Sequence, residues 1–164
     1  MESSIEGPTI ICELIEGRLP SVDDIAAKIV TPECGAISTF QGVTRNNFNG
    51  KEVTFLSYEC YQKMALHQLN QICKELCEKH GDQHMAGIAI FHRLGEVPIG
   101  EASVIIVSAS AHRVAAISAT AECIDLLKKR VPIWKKEFYA EPSESPSWKQ
   151  NPEYNQLLDE SNQS

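Results

Sequence analysis

No stretch of this chain approaches the ~18 consecutive apolar residues that a membrane-spanning helix requires. The N-terminus, MESSIEGPTIICELIEG, is acidic and its apolar stretch is too short for a secretory leader, so the expected compartment is the cytosol. Positive charge is the minority sign, with 22 Asp and Glu against 15 Lys and Arg and a formal net charge of -7. That balance argues against general affinity for nucleic acid or acidic lipid, so any anion binding must be local. The six cysteines, Cys12, Cys34, Cys60, Cys73, Cys77 and Cys123, include no CxxC pair. Their spacing matches no zinc pattern, even with His80 and His84 placed near Cys77, so buried free thiols are expected and no metal. Internal repeats and interdomain linkers are also missing. The 164 residues therefore read as one domain over residues 1–140, large enough to bury a core, followed by a loose or partly helical tail over 141–164 rich in Pro, Ser and Glu.

What is present is a series of short strands and two long helices. Strands are expected at Pro8–Glu13, Gly35–Val43, Glu52–Tyr61, Met85–Arg93 and Ala102–Ser110, with Ile133–Tyr139 returning as a last one. Ser21 and Asp24 form a capping box for a short helix over Val22–Val30. The polar turn RNNFNG suggests that Gly35–Val43 and Glu52–Tyr61 pair as a hairpin. Gln62–His80 carries a helical stripe of Ala65, Leu69, Ile72, Cys73 and Leu76. Val114–Arg130 reads as a second long helix burying Ile117, Ala121, Ile124 and Leu127, ended by Pro132. The order does not alternate regularly, which favours an α+β fold with a largely antiparallel sheet.

One segment stands out in this acidic chain. Lys128, Lys129, Arg130, Lys135 and Lys136 place five cations within nine residues, beside Pro132 and Trp134. A lysine run at a helix C-terminus suits the helix dipole and is commonly just solvated. Lys135 differs, because it follows an apolar, constrained Pro132-Ile133-Trp134. In an extended segment Ile133, Lys135 and Glu137 share one face, and Trp134, Lys136 and Phe138 the other. A lysine in such a cleft can be partly desolvated, which frees its amine for acid/base or nucleophilic work. His112 and Arg113 open the second long helix, where free backbone amides favour phosphate or carboxylate; packing or capping is the alternative. Arg45 could offer a planar donor fork to an anion or be an ordinary turn arginine. His92, in the His92-Arg93 pair, reads as structural.

Several stretches in order resemble the large, catalytic subunit of molybdopterin synthase: GAISTFQGVTRNN, FHRLGEVPIGEASVIIVSASAHR, and IDLLKKRVPIWKKE followed by SWK. Together they span about Gly35–Lys149. Asn46 departs from the pattern, since many relatives carry an acidic residue there. The resemblance implies an α+β fold of the hammerhead type. It implies a sulfurtransferase that acts on a cyclic pyranopterin monophosphate, without a cofactor. The sulfur donor it implies is the C-terminal thiocarboxylate of a small ubiquitin-like subunit, and the product is the dithiolene of molybdopterin, in molybdenum cofactor biosynthesis. The implied assembly is a heterotetramer built on a homodimer of large subunits. By the same resemblance Lys128 and Lys135 are the catalytic lysines. Arg45, His112, Arg113, Lys136 and Glu137 join them as substrate-binding positions, with His112 and Arg113 open to serving a neighbouring protomer. Two other readings compete: a module that docks a ubiquitin-like tail without catalysis, and a phosphate-ester enzyme that needs no protein partner.

Overall fold

The computed structural model describes residues 7–141, 146 and 148–150. Among these, two apolar runs dictate the centre of the molecule. Strands β5 (Met85–Pro98) and β6 (Ala102–Ser110) are buried along most of their length and pair antiparallel, from Met85 opposite Ser110 to His92 opposite Val104. Near-continuous Ile, Val, Ala and Phe suits strands covered on both faces. On one face Ile88, Ile90, Val104 and Ile106 pack under α2 (Gln62–Lys79) and α3 (Arg113–Arg130). On the other, Ala89, Phe91, Ile105 and Val107 pack with Ile25 and Ile29, at and just beyond the short helix α1 (Val22–Ala27). The capping expectation for α1 holds: the Ser21 hydroxyl accepts the Asp24 N–H at 3.1 Å.

The sheet runs β2 (Ala36–Val43), β6, β5, β4 (Lys51–Cys60), β7 (Ile133–Tyr139), β8 (Trp148–Gln150). A short β3 (Asn47–Phe48) pairs with β4, and β1 (Thr9–Glu16) lies parallel to β5, while the other pairings are antiparallel. The molecule is therefore α+β with a mostly antiparallel sheet and two long helices. No helix among the described residues is long and apolar enough to cross a membrane.

Strand β5 runs on beyond the expected Arg93 and changes partner. Its pairing with β1 ends at Leu94, and its pairing with β4 begins at Gly95, opposite Tyr58. Gly95 has φ +77°, a conformation that favours glycine, so the strand can turn there without strain.

Four expectations are corrected. The hairpin between Gly35–Val43 and Glu52–Tyr61 does not form. The turn chemistry is real, with Asn49 and Gly50 both at positive φ, but its upstream arm is only β3. Strand β2 instead pairs with β6, because burial of the whole sheet selects its partner and turn chemistry does not. Helix α3 buries Ala115, Ala116, Ala119, Thr120, Cys123 and Leu127, while Ile117 and Ala121 are exposed. Its contact face is mostly small residues, which let the helix lie against the sheet, and a search for bulky residues overlooks such a stripe. The α1 helix ends at Ala27 rather than Val30. Finally, residues 148–150 of the expected loose tail form β8 against β7, whereas most of that tail lies outside the described residues.

Close approach of β1 to β5 depends on Gly87. A Cβ there would stand 2.4 Å from the Thr9 carbonyl oxygen and 3.1 Å from Ile29 Cβ. Gly87→Ala is expected to lower unfolding free energy by about 1–3 kcal/mol, the usual cost of forcing one extra group into a packed site. Gly81→Ala, which meets nothing within 4 Å, should be near neutral by comparison. Equal urea midpoints for the two variants would show that β1 yields freely.

Candidate functional site

Where β5 passes from β6 to β4, a cavity of about 460 Å³ opens between the sheet and the C-terminal end of α3. Its apolar lining includes Phe40, Leu56, Val104, Leu127 and Ile133. Its charged lining comes from four separate elements. Arg45 follows β2, Lys128 closes the last turn of α3, Lys135 and Glu137 project from β7, and Lys149 projects from β8. Four cations thus face one hollow with a single carboxylate among them, in a chain whose net charge is -7. Such a hollow favours an anionic guest, and a phosphate or a chain-terminal carboxylate would suit it.

Strand alternation sorts the β7 side chains. Ile133, Lys135 and Glu137 line the cavity, whereas Trp134 packs edge-on to Tyr61 at 5.4 Å between ring centroids. Lys136 Nζ lies 5.4 Å from the rings of Phe138 and Trp148, away from the cavity lining. Of the sequence-derived candidates, Arg45, Lys128, Lys135 and Glu137 are therefore brought together, and Lys136 is set apart. His112 and Arg113 are also apart. They stand at the start of α3, roughly 22 Å from Lys128 at a rise of about 1.5 Å per residue. Both are exposed.

Glu137 organises the β7–β8 wall. Only 3% of its side chain is exposed, and its carboxylate meets Lys149 Nζ at 3.2 Å, Lys135 Nζ at 3.7 Å and the Tyr139 hydroxyl. Burial by itself would push the carboxyl group up. The hydrogen bonds from Tyr139 and Lys149 and the charges of both lysines outweigh burial and hold it below the ordinary value. Burial works against the Lys149 ammonium too, but Glu137 overrides it and raises that group.

The cavity also has a neutral aromatic corner, where His92 is buried and backbone-bonded as its structural reading expects. His92 lines the cavity, is buried, and meets Tyr58 edge-on at 5.1 Å. Its Nδ1 lies 2.9 Å from the Arg93 carbonyl oxygen, which can only accept, so Nδ1 carries the proton and Nε2 keeps its lone pair. Burial lowers the imidazole to about 4, which the Arg93 hydrogen bond only partly opposes. Tyr58 is raised, first by burial and further by the Glu137 charge, with Ser103 opposing the shift. In sequence His92 ends an apolar strand, and nothing local shows that the strand continues past a cavity. Phe48 and Lys149 were missed for similar reasons. Among the described residues no group of three or more His, Cys, Asp or Glu is arranged to hold a metal ion.

Residues 17–130 match the model of a protein family described as MoaE protein. The chain is 53% identical to the molybdopterin synthase catalytic subunit of Bos taurus over 133 residues, which cover 81% of this chain and 68% of that one. Its fold is similar to the crystal structure of molybdopterin synthase from Staphylococcus aureus, with TM-score 0.76, 30% identity, and coverage of 84% and 95% of the two chains. It is also similar to a chain in a protein–protein complex of subunits 1 and 2 of molybdopterin-converting factor from Helicobacter pylori. That match has TM-score 0.59 and 25% identity, and covers 80% and 91% of the two chains.

Proposed function

The chain belongs to the MoaE family, and from that membership we propose that it is the catalytic subunit of a molybdopterin synthase, with the described cavity as its reaction chamber. The substrate is a cyclic pyranopterin monophosphate, and sulfur arrives as the C-terminal thiocarboxylate of a small ubiquitin-like subunit. The observation that carries this reading is the convergence of Arg45, Lys128, Lys135 and Lys149 on one cavity of an acidic chain. Both reactants are anions, and both need cationic partners once water is displaced.

The chemistry follows from that placement. The thiocarboxylate sulfur attacks a carbon of the pterin side chain, a C–S bond forms, and the C–O bond to the leaving oxygen breaks. That oxygen takes a proton, which a lysine ammonium can supply. The sulfur is then held as a thioester between donor and pterin. Water attacks the thioester carbonyl, the C–S bond to the donor breaks, and the donor leaves as an ordinary carboxylate while the pterin keeps the thiolate. A second transfer completes the dithiolene. Lys128 and Lys135, the lysines that the family resemblance makes catalytic, both line the cavity and are the groups assigned to proton transfer. Arg45 and its neighbouring cations hold the phosphate and the donor's terminus.

His112, Arg113 and Lys136 are proposed as substrate-binding positions too, Lys136 from the opposite face of β7 rather than from the cavity wall. His112 and Arg113 cannot reach this cavity from their own protomer, so their assignment goes with a homodimer in which a neighbour presents them. A small subunit on each protomer completes a heterotetramer, and the proposed compartment is the cytosol. Residues 1–140 form the catalytic domain in this reading.

Reconstitution tests it. This chain, a thiocarboxylated small subunit and the cyclic pterin are expected to yield dithiolene, and omission of any one should abolish the product. Absence of product with a donor that serves a known synthase would refute the assignment. Hydrolysis of simple phosphate esters by the isolated chain would favour an unrelated phosphoesterase.

A further inference from the structure

Strand β8 places Lys149 directly opposite Lys135 on β7, and Tyr58 of β4 lies opposite Lys135 on the other side. Like charges at directly opposed positions of an antiparallel pair cost stability. This pair is nonetheless built into the wall of the cavity. Both ammonium groups also approach Phe48, Lys149 Nζ at 4.9 Å and Lys135 Nζ at 6.0 Å from the ring centroid. The nearly buried Glu137 carboxylate meets both and compensates only one positive charge. The side chains of Lys135 and Lys149 remain 37% and 41% exposed, open to a guest in the cavity. On the opposite face of the wall, Lys136 bridges the rings of Phe138 and Trp148, which anchors the three-residue β8 at its register.

Resting on the function proposed above, we infer that Lys149 is a third lysine of the active site, held by Glu137 and binding an anionic oxygen of the reactants. Glu137 is then a positioning residue: its carboxylate is occupied by Tyr139, Lys135 and Lys149, and it sets the spacing of the two ammonium groups. The shared ligand chemistry is a terminal anion, which two sources can provide: the phosphate of the pterin, or the carboxylate end of the donor subunit.

Two binding measurements separate these sources without turnover. In the first, the pterin monophosphate is titrated into the full chain alone; in the second, the small subunit in its carboxylate form is titrated without pterin. Lys149→Ala is expected to weaken one of the two about tenfold and to flatten its dependence on salt. Lys149→Arg, which keeps the charge, should stay within about threefold of wild type. A loss in the first titration assigns Lys149 to phosphate, and a loss in the second assigns it to the donor terminus. Unaltered affinity in both overturns the inference. So does an equal loss in the Ala and Arg variants accompanied by a lowered melting temperature, which marks a purely structural lysine. Wild-type dithiolene formation is measured alongside. A competent wild type with an unaffected Lys149→Ala variant overturns the Lys149 assignment alone, whereas a wild type that neither binds pterin nor makes product overturns both readings.

Discussion

Lys128→Ala and Lys135→Ala are each expected to reduce dithiolene formation at least ~100-fold, while affinity for the small subunit changes by no more than a few-fold. The magnitude is that of losing a positioned acid or base, typically 10²–10⁴. Both side chains line the cavity, one from the last turn of α3 and one from the middle of β7. Neither belongs to the apolar core, so Lys128→Ala should shift unfolding free energy by only about 0.5 kcal/mol, and Lys135→Ala, which leaves Glu137 held by Lys149 and Tyr139, should still fold. Activity and folding are therefore separable in these variants. Arginine substitutions divide the roles further. An Arg at either position keeps the positive charge but cannot give up its proton near neutral pH. If the lysine acts by charge alone, Lys→Arg restores most of the rate; if it moves a proton, Lys→Arg remains as slow as Lys→Ala. Near-wild-type turnover in both alanine variants, with the partner still bound, would remove Lys128 and Lys135 from the chemistry.

The second large effect concerns acid stability and His92. The folded imidazole titrates at about 4, whereas an unfolded one titrates near 6.5. Above pH 6.5 both states hold the neutral ring and His92 contributes no pH dependence. Between pH 6.5 and 4 the unfolded chain takes up a proton that the folded chain refuses, so stability falls as pH falls. Across that window the loss amounts to roughly 3 kcal/mol, about 1.4 kcal/mol for each unit. The carboxylates that Lys and Arg neighbours hold low, Glu75, Glu122 and Glu137, lie in a separate window: their contribution is complete above about pH 4.5 and fades only below it. Urea unfolding of wild type at pH 7, 6 and 5 should show the decline, and His92→Phe should show a much flatter profile. The Phe variant loses the hydrogen bond to the Arg93 carbonyl, so its stability at pH 7 will be lower throughout. The slope, not the level, is the test, and parallel slopes would exclude His92 as the source.

Much of the scaffold was legible because apolar residues declare themselves. The stripe Ala65, Leu69, Ile72, Cys73 and Leu76 is the face that α2 buries, and the runs of β5 and β6 are the central strands. Failures came where the deciding contact is remote. Nothing near residues 36–43 states that β6 will be their neighbour, and an alanine-lined face on α3 reads as weakly amphipathic. For the site, two-residue alternation correctly sets Lys135 beside Glu137 and away from Trp134 and Lys136, because that rule is local. The meeting of Arg45, Lys128, Lys135 and Lys149 is not local; it depends on where α3 ends over β7 and on β8 adding one more strand. His92 was read as structural, which its burial and backbone hydrogen bond fit; that it borders the hollow shows only when its strand is followed past Arg93.

The contrast between an acidic chain and its cationic hollow also governs traffic. A small anion approaching from bulk water is turned away over most of the molecular exterior and drawn in at one mouth, so productive encounters are sorted before any close contact is made.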